Sequence, residues 1–258
     1  MKLLSVCIPT YEMHGLGDKF LKHSLDVLVN QTFKDFEVVI SDHSKTDMIK
    51  DLCEMYKGKL DIVYYQNTKH RGNSSANINS AIRLAHGKLI KFLMQDDFLF
   101  TNDALKEIVK HFDMEKDHWL ITACEHTTDG IHFYRPFYPT YHNNIHLGRN
   151  TISSPSVLTI KNDDPLLFDE KLLQRTDGDY YKRCYDRFGE PKILNAINVV
   201  NRAGPHQVSN TMITESLEDA EYQYLLTKYN KKFPRVLMLL RNLKKIVSRI
   251  KGFCRKIM

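Results

Sequence analysis

The chain has 258 residues, of which 42% are hydrophobic and 26% charged, with a formal net charge of +6. That composition belongs to a globular protein able to bury a full core, and excludes a disordered or fibrous chain. The charge is unevenly placed: Lys231 to Met258 hold ten Lys or Arg and no acid, while the preceding 230 residues carry 27 basic and 31 acidic side chains, a net of −4. An acidic body lacks the basic surface that tracking phosphates requires, so nucleic acid is not expected as a partner. The five cysteines (Cys7, Cys53, Cys124, Cys184, Cys254) are odd in number and far apart, with no CxxC. They speak against a disulfide framework or a structural zinc site and for reduced, mostly buried thiols in a cytoplasmic setting. No apolar run approaches the about 18 residues of a spanning helix, and Leu3–Pro9 is too short for a signal peptide.

In chain order, Leu3–Ile8 reads as a buried strand stopped by Pro9, followed by a helix from about Lys19 to Asn30. Phe36–Ile40 is a second strand, Thr46–Tyr56 a helix and Asp61–Tyr65 a third strand. The polar loop Asn67–Ser75 leads into a helix through Ala76 and His86 that Gly87 can cap. The fourth strand is the one carrying Asp96-Asp97, in the stretch 88–97, and a helix follows from about Asp103 to Phe112. Strands alternating with helical stretches of this length imply βαβ units and a mostly parallel sheet. Then the rhythm changes. Trp119–Thr127 and Ile131–Phe137 read as a hairpin around Asp129-Gly130, Pro155–Ile160 and Ile193–Val200 as strands, and Asp179–Phe188 as a helix.

The most informative stretch is 88–97, an apolar run ending in two adjacent carboxylates, Asp96 and Asp97. Acids at the carboxyl end of a buried strand suit a hard divalent cation held against a diphosphate, since such a cation takes oxygen ligands from one or two carboxylates and from phosphate. A second pair, Asp163-Asp164, precedes Pro165 and reads as an ordinary turn. Polar groups recur after the other strand ends: Thr10, Tyr11 and Glu12, then Asp42 and Ser44, then the Asn67–Ser75 loop. Parallel strands bring these ends to one edge, so the groups should converge as a nucleotide-diphosphate pocket. Any one of them alone could equally be a loop cap or an Asx-turn. No GxGxxG follows the first strand and no GxxxxGK[ST] occurs, which disfavours a dinucleotide site and a Walker loop.

Four ordered blocks, Ser-Val-Cys-Ile-Pro-Thr-Tyr-Glu (5–12), Val-Val-Ile-Ser-Asp-His-Ser (38–44), Ala-His-Gly-Lys-Leu-Ile-Lys-Phe-Leu-Met-Gln-Asp-Asp-Phe (85–98) and Phe-Asp-Glu-Lys-Leu (168–172), resemble those of family 2 glycosyltransferases of the GT-A fold, across roughly residues 3–210. The resemblance implies an α/β fold with a Rossmann-like, mostly parallel central sheet flanked by helices. It implies a catalytic domain over 1–210, with a nucleotide-binding half (1–100) and an acceptor half (101–210), and a helical basic tail over 211–258. It places Pro9, Thr10, Tyr11, Glu12, Asp42, Asn79, Gln95 and Asp96 on the nucleotide, Asp97 on Mn²⁺ or Mg²⁺, His206 on diphosphate or metal from a closing loop, and Asp177 as general base. Asp177 with Thr176 could instead cap the nearby helix, and His206 could be a plain loop residue. The chain departs from the family pattern at Met94 (often an acid), Ser41 (often Asp), His43 (often Gly) and Thr176 (often Glu).

The function so implied is inverting transfer of a sugar from a nucleotide-sugar, with a UDP-sugar weakly favoured, to a hydroxyl of a lipid-linked glycan, as in bacterial surface polysaccharides. A degenerate member that binds nucleotide or glycan without turnover is the rival that Met94 keeps alive. A nucleotidyltransferase shares the metal and nucleotide needs but gives the 168–172 block and Asp177 no place. From Pro234 to Met258, apolar residues fall at helical spacing with basic residues mostly between them, which reads as an amphipathic helix on an anionic membrane surface or packed on the body. The expected location is the cytoplasmic face of a membrane.

Overall fold

A computed structural model describes residues 2–207 and 214–229. Residues up to Thr214 form one compact unit and those from Glu215 onward another. The first unit is built on one nine-stranded sheet: β1 (Leu4–Thr10), β2 (Phe36–Asp42), β3 (Ile62–Gln66), β4 (Leu89–Phe92), β5 (Phe98–Leu99), β6 (Trp119–Thr127), β7 (Phe133–Phe137), β8 (Leu158–Lys161) and β9 (Lys192–Arg202). The spatial order is β3-β2-β1-β4-β8-β6-β9-β5, with β7 paired to β6. β3, β2, β1 and β4 are mutually parallel, β8 is antiparallel to both β4 and β6, and β9 is parallel to β6. β1, β2, β4, β6 and β9 therefore all end at the same edge.

The helices of this unit are α1 (Gly17–Val29), α2 (Met48–Met55), α3 (Ser74–Leu84), α4 (Ala104–His111) and α5 (Thr176–Phe188). The core lies where α3 packs on β1 and β2 and where α1 meets α2 and β5. β1, β2 and β4 are almost wholly buried, so their sequences are continuous apolar runs rather than alternating ones. The second unit is described through α6 (Glu215–Lys228). Among the described residues no helix is long and apolar enough to cross a membrane. The expected amphipathic helix over 234–258, and Cys254, lie outside the described residues. Cys7, Cys53, Cys124 and Cys184 are buried and free, and burial pushes their thiol pKa values up, Cys124 to about 11.

Two local expectations are corrected. β1 runs through Pro9 to Thr10 in register with Ser41 and Asp42. The carbonyls of Leu3 and Cys7 face β4, so the amide position of Pro9 faces it too, and β4 stops pairing at Cys7–Phe92. No ladder bond is lost there. Gly87 does not cap α3, which ends at an extended Ala85. A Cβ on Gly87 would lie 2.6 Å from the Leu4 carbonyl carbon and the Ser5 nitrogen. The glycine serves close packing of the strand entry on β1. Asp163 and Asp164 form the expected surface turn, with Asp164 at φ 53 and exposed.

Candidate active site

Asp42, at the end of β2, is fully buried and already hydrogen-bonded: Oδ1 accepts from Thr10 Oγ1 (3.1 Å) and from Ser44 N (2.9 Å), and Oδ2 from Tyr64 Oη (2.9 Å). Asn77 adds a second tie, donating to the Thr10 carbonyl at 3.0 Å while accepting from Ser41 Oγ at 2.7 Å. The ends of β1 and β2 are thus locked together. Glu12 accepts from the Lys45 amide across the same gap. His43 beside them is buried, its Nε2 has no partner, and burial lowers its pKa, so the ring is neutral. The half-buried Tyr11 ring and part-buried Pro9 complete this end.

Two residues expected on a nucleotide are committed to the protein itself. Gln95 accepts from Tyr11 N (2.9 Å) and donates to the carbonyls of Tyr11 (3.0 Å) and Gly17 (2.9 Å), so it clamps the loop after β1. Asn79 accepts from Phe168 N (2.7 Å) and donates to Phe168 O (3.0 Å) and Glu170 Oε1 (2.9 Å). It ties α3 to the Phe-Asp-Glu-Lys-Leu block, with both of its N–H groups used there.

The two adjacent acids face different surroundings. Asp97 is 4% exposed, and its Oδ2 accepts from Ser156 Oγ (2.6 Å), Asn201 Nδ2 (2.7 Å) and Ser154 Oγ (3.2 Å), its Oδ1 from Arg202 N (2.9 Å). Burial, then the charge of Asp96, raises its pKa to about 7. Four protein donors thus hold this carboxylate, three on Oδ2 and one on Oδ1. Asp96, with its side chain 13% exposed, pairs differently: Oδ2 lies 3.0 Å from His206 Nε2, and its charge reaches Tyr11, whose pKa is raised by burial and then by Asp96. His206 is buried against the Phe20 ring at 4.7 Å.

Arg202 was not anticipated. Its Nε donates to the Asp96 carbonyl (3.1 Å), its Nη2 meets His23 Nδ1 (3.0 Å), and its guanidinium lies 4.8 Å over the Phe20 ring. Gly130, at φ +84, lies so close that a Cβ would be 2.8 Å from Nη2. The strand-end rule applied to β1, β2 and β4 also covers Asn201 and Arg202, but only once β9 is known to run parallel to them.

Asp177 lies in the first turn of α5, where the N-cap is Arg175 and no side chain caps the helix. The capping alternative for Asp177 has no bond behind it. Its Oδ1 accepts from Thr176 Oγ1 at 2.9 Å, and burial raises its pKa to about 6. One turn on, Tyr181 Oη donates to Ser153 O (3.2 Å), Ser153 Oγ to Asn201 Oδ1 (3.1 Å), and Asn201 Nδ2 to Asp97. Hydrogen bonds therefore run from Asp97 to Tyr181, one turn from Asp177 on α5. Ser153, at φ 95, is held in a conformation rare for a non-glycine residue, as residues at functional sites often are.

Against this geometry the family model for "Glycosyl transferase family 2" matches residues 5–173. The chain belongs to glycosyl transferase family 2. Over 102 residues, 39% of the chain, this family 2 member is 31% identical to a GalNAc(5)-diNAcBac-PP-undecaprenol beta-1,3-glucosyltransferase of Campylobacter jejuni, and spans about a third (32%) of that relative's length. Its fold matches that of Staphylococcus aureus TarS 1-349 in complex with UDP-GlcNAc (TM-score 0.64, 20% identity, 90% of this chain and 74% of that one). It also matches a Pyrobaculum calidifontis mannosyltransferase in complex with GDP-Man and Mn²⁺ (TM-score 0.58, 14% identity, 96% and 81%). The GT-A architecture expected from the motifs is thereby established for this chain.

Among the described residues no group of three or more His, Cys, Asp or Glu is placed to hold a metal ion. The Asp96–His206 pair nevertheless offers one carboxylate and one imidazole. The carboxylate is a ligand type that Mn²⁺ and Mg²⁺ take, the imidazole is not one that Mg²⁺ favours, and the two groups are hydrogen-bonded to each other.

Proposed function

We propose that the protein is an inverting glycosyltransferase that moves a sugar from a nucleotide-diphospho-sugar, with uridine as the favoured base, to a hydroxyl of a lipid-linked glycan. The observation that carries this reading is the set of hydrogen bonds from Asp97 through Asn201 and Ser153 to Tyr181, one turn from Asp177 on the same helix. In this reading residues 1–100 supply the nucleotide half and 101–210 the acceptor half. Pro9, Tyr11 and the Asp42–His43 corner take the base, and Asp96 and His206 take the ribose–diphosphate side. The cation expected on Asp97 is moved to Asp96 and His206, because four donors already occupy the Asp97 oxygens.

Asp177 accepts the proton of the acceptor hydroxyl as that oxygen forms its bond to the anomeric carbon, opposite the departing diphosphate. A carboxyl titrating near pH 6 is ionised at neutral pH yet basic enough for this work. When bound, the cation neutralises charge on the diphosphate leaving group. Arg202, with its guanidinium behind Asp96, holds the acidic turn against β9. The lipid-linked acceptor is supported by the undecaprenol-linked substrate named for the Campylobacter relative, and uridine by the UDP-GlcNAc in the TarS structure. The Mn²⁺ of the mannosyltransferase structure supports the cation. Residues 234–258, outside the described residues, are proposed to hold the enzyme on the anionic cytoplasmic face of the membrane.

A second reading, binding without turnover, is favoured by Met94, a half-buried thioether where an acid is common. Incubation with a panel of nucleotide-sugars and Mn²⁺ separates the two. Metal-dependent release of nucleoside diphosphate from one donor supports the enzyme, and nucleotide binding without release from any donor supports the binding protein.

A further inference from the structure

Lys91 lies in the middle of β4, in register with Val6 on β1 and Thr159 on β8, and is fully buried. A central strand ordinarily fills such a position with an apolar side chain, because burying an ammonium is unfavourable. Burial lowers the pKa of Lys91 to about 7, against which the Asp97 carboxylate acts. The ammonium donates to the backbone carbonyl of Ser156. Ser156 is also the residue whose hydroxyl donates to Asp97 at 2.6 Å and accepts the Met94 amide at 2.8 Å. The Asp97 amide in turn donates to the Met94 carbonyl at 3.0 Å. One serine is thus held by a buried cation at its carbonyl and by a buried anion at its hydroxyl. Since the hydroxyl oxygen accepts from Met94, its proton is committed to Asp97, which fixes the turn that presents Asp96.

We propose that Lys91 is a positioning residue of the donor site: it holds Ser156 from below and sets positive charge behind Asp97, so fixing the Met94–Asp97 turn and the aim of Asp96. The inference rests on the reading of Asp96 as the donor-side acid. A merely structural Lys91 would affect stability, not donor handling.

The test is Lys91→Met, which keeps the length of the side chain and removes its charge, beside Ser156→Ala and the double variant. Each is measured for UDP–Mn²⁺ binding by calorimetry, for kcat and KM of nucleotide release, and for thermal melting. Lys91→Met is expected to melt below the wild-type temperature, since the buried Asp97 carboxylate and the Ser156 carbonyl lose a partner. Its donor affinity and kcat/KM should fall about tenfold to hundredfold, the scale of one hydrogen bond to a charged group. Ser156→Ala should lose a similar factor, and the double variant no more than the worse single one. Wild-type kcat/KM and UDP affinity in a folded Lys91→Met protein overturn the proposal, as do losses that multiply in the double variant. Should Lys91→Met not fold, Ser156→Ala decides: unchanged donor affinity in that variant ends the proposal. A wild-type protein that binds UDP but releases nucleotide from no donor overturns the transferase reading alone, and UDP affinity remains the readout for Lys91. A wild-type protein that binds no nucleotide overturns both.

Discussion

Replacing Asp177 by Asn removes the proposed base while keeping the shape of the side chain and an oxygen for the Thr176 hydroxyl. A general base contributes about 10²–10⁴ in rate, so turnover should fall by that factor while donor affinity stays near wild type. The pH dependence sharpens the test. Because the base must be ionised, wild-type kcat/KM should fall about tenfold per unit as pH drops below about 6, the pKa to which burial raises Asp177. That acid limb should be missing from the Asn variant. Release of nucleoside diphosphate between pH 5 and 9 gives the rates, and calorimetry the donor affinity.

The same shift has a consequence for stability, with the sign fixed by linkage. A carboxyl whose pKa rises from 3.8 unfolded to about 6 folded binds its proton more tightly in the native state. Ionising it as pH rises through that window therefore destabilises the fold, with the full effect above about pH 6 and none below about pH 4. Two units at about 1.36 kcal/mol each give an upper bound of about 3 kcal/mol, which partial solvent exposure reduces to about 1 kcal/mol. Asp177→Asn should then melt about 2–4 °C higher than wild type at pH 7.5 and no higher at pH 4. Wild-type turnover in the variant, or an acid limb unchanged by it, would refute the assignment. A variant less stable than wild type at pH 7.5 would refute the account of burial.

Asp96→Asn and His206→Ala should each weaken Mn²⁺-dependent UDP binding by about tenfold or more, on the scale of losing a charged contact, and affect metal-free binding less; equal loss with and without Mn²⁺ would remove the pair from the cation. Asn79→Ala leaves the buried Phe168 amide and carbonyl without this partner and removes a bond to Glu170, so it should cost about 2 kcal/mol or more in urea unfolding while UDP affinity persists; a selective loss of UDP affinity would return Asn79 to the nucleotide. Removal of residues 230–258 should abolish cosedimentation with phosphatidylglycerol vesicles at low salt, and undiminished sedimentation of the shortened chain would end the membrane reading.

The sheet was legible because its strands are continuous apolar runs of limited length between polar loops, the pattern of strands buried on both faces. Ends were misjudged where a local rule met tertiary context. Pro9 looked like a stop, but its missing amide faces the gap left by β4. Gly87 looked like a cap, but it clears room for Ser5. The strand-end residues Thr10, Asp42 and Asp96 were legible for the same reason as the parallel half. Arg202 and Asn201 were hidden because the direction and neighbours of β9 are set by antiparallel β8, which lies between β4 and β6 and leaves no mark in the local sequence. Asn79 and Gln95 show the converse: an amide near a site spends its hydrogen bonds on whatever backbone lies closest, and side-chain type alone does not say which.

The Asp96-Asp97 dipeptide makes the general point. Two identical side chains on one turn have different partners, Asp97 four donors and Asp96 the His206 ring, and sequence treats them alike. The Asp97 carboxylate loses its solvation on burial, and Ser154, Ser156, Asn201 and the Arg202 amide supply donors to it from two separate segments. Those bonds connect the acidic turn after β4 to the end of β9 and to the 154–156 turn, and through Ser153 and Tyr181 to the helix that carries Asp177. The anchor thereby helps to fix how the Asp96 carboxylate and the helix of the proposed base stand relative to each other. A small displacement of catalytic groups can cost about 10²-fold in rate, so a carboxylate that never touches substrate can matter to turnover as much as one that does.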